Sequence, residues 1–493
     1  MINDRENGYF TVGLHERTFG VEAAGDYTLP DYQSEIRRVL HVSQTVLPPA
    51  VYVGADSVEF SGTVDYQLIY VGGDGGIYSA PLSGEYSFNA PLERGMDVTE
   101  DMRVLCHVCA EGVSTRVSAP RRLSIRSRLR PNVRILGKLP TSDGVTEQTE
   151  SDTLYRKTER CMSVECESAV SELIPLTYST PLASDDMRVV CADAKVCVTE
   201  KECVSGGVRC RGRAELCMLW TTEDSGEMNR ITADIPFEGE IDADGCTSES
   251  MARVHGTLSE MAVSVGEDGV ECNMGIMLEA VICRNDETEY TSDLYSTENE
   301  CVCETAAVSP RRMLVCANAN VTLGERVPLS ETTVPEGAEI IDAHGSVVMD
   351  KCTHTDGRYT FGGNGRFAVI WRNDGDINSS EVTLPVRLEV QGSESGEPVS
   401  FDARAEATDV RARIEDGSLR IDSELMMSVD CMGETVVRTV TGVSFGEEIP
   451  PRGSELIVCY PTPDDTLWSV AKRYKVAPAD IIGDPGTDRY VMI

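Results

Sequence analysis

Aromatic residues make up only 6% of this 493-residue chain, and its 44 basic residues are outnumbered by 82 acidic ones. The scarcity of rings leaves core packing to Val, Leu, Ile, Met and Cys. The formal charge of −38 argues against nucleic acid and anionic lipid as partners, because both are bound through clustered Lys and Arg. No apolar run is long enough to cross a bilayer as a helix, so no membrane span is expected. The opening residues, Met1 to Gly8, lack the apolar stretch of an export signal, so the chain is expected to stay in the compartment where it is made. Histidine is sparse, six in all, and scattered. There is no Gly-x-Ser-x-Gly elbow and no second cysteine pair at zinc spacing, so we expect no enzyme, no cofactor and no metal site.

What the chain does have is 41% apolar residues and 18 cysteines. Its length suggests about three or four domains. Without an export signal the cysteines are expected to stay thiols. Several sit in apolar runs such as Val189-Val190-Cys191, where Cys acts as a small buried hydrophobe. The Cys106-His107-Val108-Cys109 run lies in an alternating stretch that puts the two thiols on opposite strand faces. Gly72-Gly73-Asp74-Gly75-Gly76 has no helix after it and reads as a hairpin loop.

The strongest signal is a repeat. Val58 to Tyr70, Val208 to Trp220 and Tyr359 to Trp371 share an alternating pattern with a central glycine and a closing aromatic residue. Gly62, Gly212 and Gly363 coincide at spacings of 150 and 151. The upstream counterparts are read as Arg38-Val39-Leu40, Arg188-Val189-Val190 and Arg312-Met313-Leu314. Downstream, Phe237 and Val386 correspond, with Phe88 their nearest match in the first copy. Tight turns are expected at Glu111-Gly112, Glu267-Asp268-Gly269 and Glu415-Asp416-Gly417.

Alternation of period two predicts strands with one buried face, and a shared glycine within them suggests a bulge or a close backbone approach. The expected fold is therefore mainly β: three repeated antiparallel β-sandwich or barrel-like modules at 25–135, 180–285 and 305–449. The polar stretches 136–179 and 286–304 are expected to connect them, with parts able to supply an extra strand. Arg121, Arg122, Arg126, Arg128, Arg130 and Arg134 form a basic stripe. It is either an exposed strand face or a docking surface for an acidic patch, such as another module of the same chain.

The end of the chain, 454–493, differs. Leu456 to Tyr460 reads as a strand. Asp465 or Thr466 can cap a helix whose stripe is Leu467, Val470, Ala471 and Tyr474. Pro478 can open a second short helix through Ile482, and Tyr490 to Ile493 can close as a strand. Trp468 lies one residue off the stripe, either a core residue of this small unit or a partner contact.

The run Asp465-Thr466-Leu467-Trp468-Ser469-Val470-Ala471-Lys472-Arg473-Tyr474 resembles a LysM domain, a small α+β unit of βααβ order. The run from Gly25-Asp26-Tyr27-Thr28-Leu29-Pro30-Asp31 to Leu40 resembles the start of a SPOCS domain. Three SPOCS modules followed by one LysM are similar to the spore coat morphogenetic proteins. That resemblance implies a mother-cell protein, cytoplasmic and held at the forespore surface, that helps assemble the spore coat. It implies a protein partner, a morphogenetic protein resembling the coat-basement ATPase, captured by the LysM-like end. The alternative is peptidoglycan, because LysM domains usually bind N-acetylglucosamine glycans. The family's groove carries over to Asp465, Thr466 and Leu467, and then to Ile482 and Gly483, with Trp468 beside them. Asp464 stands where the family has Gly, and the loop 483–489 is short; both departures fall on the glycan groove.

Overall fold

The computed structural model describes residues 8–92, 102–141, 153–184, 186–222, 228–267, 269–450 and 456–493. They are mainly β, and their sheets are antiparallel throughout. The first third contains β1 (Tyr9–Thr18), β2 (Val21–Thr28), β3 (Ile36–Val46), β4 (Ala50–Val53), β5 (Ser57–Gly72), β6 (Ile77–Pro91), β7 (Arg103–Ala119) and β8 (Arg122–Pro140). The second contains β9 (Leu154–Val170), β10 (Ile174–Thr180), β11 (Met187–Val204), β12 (Gly207–Thr222), β13 (Met228–Asp242), β14 (Met251–Gly266) and the long β15 (Gly269–Ser296). The third contains β16 (Asn299–Val308), β17 (Arg311–Pro328), β18 (Glu339–Thr355), β19 (Arg358–Asn373), β20 (Asp376–Gln391), β21 (Ser400–Glu415), β22 (Ser418–Glu434) and β23 (Val437–Glu448).

One succession of pairings occurs in each third. A three-stranded meander forms first: β3-β5-β6, β11-β12-β13 and β18-β19-β20. A second sheet faces it, with β8 between β2 and β7, β15 between β10 and β14, and β22 between β17 and β21. Inward side chains of the two sheets meet in a core, as Phe60, Tyr70, Leu123 and Ile135 do in the first third. Alternation in the sequence becomes alternation in burial, so Val58, Phe60, Val64, Tyr66 and Leu68 are all buried on β5.

The central glycines mark irregularities. Gly212 lies opposite a register shift between Val198 and Glu200, and Gly363 opposite one between Met349 and Lys351. Gly62 faces the break between β3 and β4 at Pro48-Pro49. A methyl group at Gly363 would collide with the Val348 carbonyl oxygen, which is rigid backbone. Gly363→Ala is therefore expected to cost about 1–3 kcal/mol, measured as a lower urea midpoint, whereas Gly375→Ala meets open space and is limited by its positive φ alone.

Three sequence expectations need correction. Residues opposite the central glycines are Tyr86, Phe237 and Val386, so Tyr86 and not Phe88 completes the set. Val39, Val189 and Ile340 face Tyr70, Trp220 and Trp371, each followed by a register shift. The third upstream counterpart is thus Ile340; Met313 belongs to β17 on the other sheet. The hairpin of β7 and β8 closes beyond Ala119, and Glu111 is the extra residue of a bulge inside β7, just before Gly112 pairs with Arg128. The other two hairpins turn at 267–269 and 416–417, with Asp268 outside the described residues.

The polar stretches carry strands. Residues 154–170 form β9 and 174–180 form β10, while β15 runs on to Ser296. Three two-stranded ribbons result: β1 with the end of β8, β9 with the end of β15, and β16 with β23. A ribbon buries little, which is why its sequence is polar. The ribbons pack on one another through Phe10, Tyr290 and Val437, then through Leu294 and Val440. Phe10 and Tyr290 meet edge to face at 5.6 Å.

The thirds also pack together. Leu40 and Ile69, Val190 and Leu219, and Ile370 and Ile377 form one apolar cluster drawn from all three. Leu105 and Leu136, Val281 and Cys283, and Met313 and Met432 form another. Between these clusters the interior is polar.

Candidate functional site

Two places concentrate chemistry: the C-terminal unit and the polar centre. The C-terminal unit contains β24 (Val458–Cys459), α1 (Leu467–Tyr474), a 3-10 turn at Pro478–Asp480 and β25 (Val491–Met492). Strand, helix and closing strand stand where the sequence places them. The second helix is only that single 3-10 turn. Ile482 and Met492 exchange backbone hydrogen bonds of 2.8 and 2.9 Å, which pulls the chain into an extended bridge directly after it.

Thr466 is the helix cap. Its hydroxyl accepts from the Ser469 N–H at 3.2 Å, and the Ser469 hydroxyl oxygen accepts from the Thr466 N–H at 2.9 Å, a reciprocal capping box. The Asp465 carboxylate closes the preceding turn by accepting from the Thr462 N–H at 2.9 Å and hydroxyl at 3.0 Å. The Thr462 backbone and the Arg473 guanidinium hold its pKa down at about 2. Asp465 and Thr466 thus build the loop. Leu467 and Ile482 are 42% and 63% exposed. Gly483 has φ +105°, with Asp488 close to the space a side chain would need, so the position suits glycine.

Trp468 is half-buried against the cluster of Cys459, Val470, Ala471, Ile481 and Val491 in this unit, a cluster that also takes in Tyr295 of β15. Its ring packs edge to face on Tyr295 at 5.0 Å, and its indole N–H donates to Asp293 at 2.8 Å. Lys472 pairs with the same Asp293, Lys475 with Glu300 at 3.1 Å, and the Tyr295 hydroxyl donates to the Val476 carbonyl at 2.7 Å. The unit is docked on β15 and β16 by the helix face that carries Trp468. Asp293 and Tyr295, which form that dock, lie some 175 positions before Trp468 in the chain. Leu456, Val458, Tyr460, Leu467, Ile482 and Tyr490 remain exposed.

In the polar centre, Arg134 from the first third makes a two-pronged contact with Asp430 of the third, one prong 2.9 Å long. Arg253 from the second third reaches both Asp430 and Asp402. His107 Nδ1–H lies 3.0 Å from Asp402 Oδ1, and Arg404 meets Glu279. Arg134, Arg253, Asp402 and Asp430 are all less than a tenth exposed. Burial alone would raise the Asp402 carboxyl, but His107, Arg253 and Arg404 outweigh it and hold it well below the usual carboxylate range. A cavity of about 120 Å³ is lined by His107, Glu279 and Arg404 of this network, and a separate one of about 350 Å³ by His41, Lys195, Arg230 and His344 among others. The His41 and His344 rings stack there at 4.5 Å.

The basic stripe divides. Arg134 is buried on Asp430, and Arg130 donates to the Met349 carbonyl at 2.6 Å, so this end docks onto the third part of the same chain. Arg121 and Arg126 pair locally with Asp31 and Glu22, and Arg122 and Arg128 are exposed. Cys106 and Cys109 flank His107 on β7, and burial pushes both thiols up. Among the described residues, no group of three or more His, Cys, Asp or Glu is placed to hold a metal ion.

Asp402 and Asp430 were missed in the sequence. The available signal was a lone charge inside an apolar run, as in Leu425-Met426-Met427-Ser428-Val429-Asp430-Cys431-Met432, where burial demands a partner.

The described residues therefore define a mainly β protein whose thirds share one order of strand pairing, and none of its helices is long and apolar enough to cross a membrane. A family model described as SipL, SPOCS domain matches residues 187–265, which run from β11 through most of β14. No curated protein and no solved structure matches the chain.

Proposed function

We propose that the chain is a non-enzymatic scaffold of the spore envelope, built of three SPOCS modules and a LysM-like end that captures a coat morphogenetic protein. The carrying observation is that the SPOCS match at 187–265 falls on strands whose pairing order occurs again in the other two thirds. By this reading the modules form one body, and the ribbons hold the C-terminal unit in a set orientation. The partner meets the exposed face that includes Leu467 and Ile482, because the opposite face is occupied by Asp293 and Tyr295. The site of action is the mother-cell side of the forespore surface. The alternative is peptidoglycan binding through the same unit.

The test is capture from sporulating cells with the full chain. Leu467→Asp/Ile482→Asp leaves the dock intact and is expected to cut recovery of coat-layer protein at least tenfold, since apolar anchors commonly carry about 2 kcal/mol or more. Unchanged recovery would remove the assignment of this face. Cosedimentation of the full chain with purified peptidoglycan would favour the alternative.

A further inference from the structure

All 18 cysteines are free thiols. Two pairs of them join separate sheets. Cys352 on β18 and Cys431 on β22 have their sulfurs 3.9 Å apart, inside the core of the third sandwich. Cys283 on β15 and Cys316 on β17 meet in one apolar cluster at the seam between the second and third parts, where the Cys316 thiol donates to the carbonyl of Val281, two residues before Cys283, at 3.6 Å. Neither pair belongs to the C-terminal unit or the charged centre.

We propose that Cys352–Cys431 and Cys283–Cys316 are latent disulfide sites, closed when the folded chain meets a low-molecular-weight disulfide. A thiolate of the pair attacks one sulfur of the small disulfide. One half is released as a thiol and the other stays on the protein as a mixed disulfide. The neighbouring thiolate then displaces it. The protein thiols lose two electrons and two protons, and the small disulfide gains both as two thiols.

Position makes the second step specific. In Cys352–Cys431 the resolving sulfur is already in contact, and in Cys283–Cys316 it lies in the same apolar cluster, so the protein link forms faster than a second small molecule can arrive. An S–S bond is about 2.05 Å long, so the sulfurs of Cys352 and Cys431 must close by roughly 2 Å, within reach of side-chain rotation. The neighbouring thiol and burial together push Cys431 and Cys283 up, which disfavours the attacking thiolate and keeps the thiols unreactive while the fold is closed. Reaction waits for local opening. Cys352–Cys431 would tie the two sheets of one sandwich together, and Cys283–Cys316 would tie two thirds of the body together.

The experiment treats the full, folded chain with oxidised glutathione, blocks remaining thiols and maps the linked peptides. The expected result is a loss of two thiols per pair, with 352–431 and 283–316 as the dominant links. A urea midpoint that rises on oxidation and falls back with reductant should accompany it. In Cys352→Ser, which leaves a near-isosteric side chain, Cys431 should keep its glutathione. Links scattered among other cysteines, or full retention of these four thiols after prolonged exposure, would overturn the proposal.

Discussion

Asp430→Ala is expected to lower the stability of the body by about 3–5 kcal/mol, the usual cost of breaking a buried ion pair by removing one side. Asp430 is fully buried and serves two guanidiniums, Arg134 from the first third and Arg253 from the second. Removing it leaves the buried Arg134 without its carboxylate and Arg253 with Asp402 alone. Asp430→Asn keeps an acceptor and should cost less. Urea unfolding measures both, with Glu336→Ala on an exposed turn of ordinary φ as a control within about 0.5 kcal/mol. A loss under 1 kcal/mol for Asp430→Ala would mean that the thirds do not depend on this centre.

Acidification from pH 7 to 5.5 should cost about 3 kcal/mol through two buried histidines, His41 and His255. Burial, the nearby His344 and Lys195 lower the pKa of His41 well below 6.5. Burial, Arg404, His107 and Arg253 do the same to His255, against the opposing pull of Asp402. Glu406 approaches His255 at 4.0 Å. With folded-state pKa values below the unfolded ones, both side chains are neutral in both states at high pH, and no stability is lost there. As pH falls through the unfolded value of about 6.5, the unfolded chain takes up protons that the folded one refuses. Each histidine then costs about 1.4 kcal/mol per pH unit until its folded value is reached. Asp402 adds a second decline below about pH 4, because its pKa is depressed and its stabilisation is lost as it protonates. His255→Gln should flatten the first decline by about one proton. A midpoint that stays level between pH 7 and 5.5 would show these rings to be solvated.

Alternation and the 150-residue spacing expose the strands and the central glycines in the sequence, because both follow from local backbone geometry. The same spacing leads from Val189 to Ile340, yet the Arg-Met-Leu likeness at 312–314 diverts the match to the facing sheet. Ribbon strands are hidden for a different reason: Asn299 to Val308 has almost no buried side chain, so it lacks the apolar alternation that announces a strand. The direction of Trp468 is equally hidden. The helix around it can be read locally, but the residues that hold it belong to β15. Burial of Arg134 cannot be separated from the exposure of Arg126 and Arg128 without knowing that β8 leaves its sandwich and crosses to the third part.

The ribbons set a timetable for synthesis. Thr18 opposes Asn132, Val170 opposes Glu279, and Val308 opposes Val437, so each strand waits for more than a hundred further residues before its mate leaves the ribosome. Such distant closures are slow. A nascent chain halted before Val437 exposes β16 along its whole length, a bare edge open to neighbouring copies. The last ribbon, and with it the seat for α1, can be completed only after Glu448 has been added.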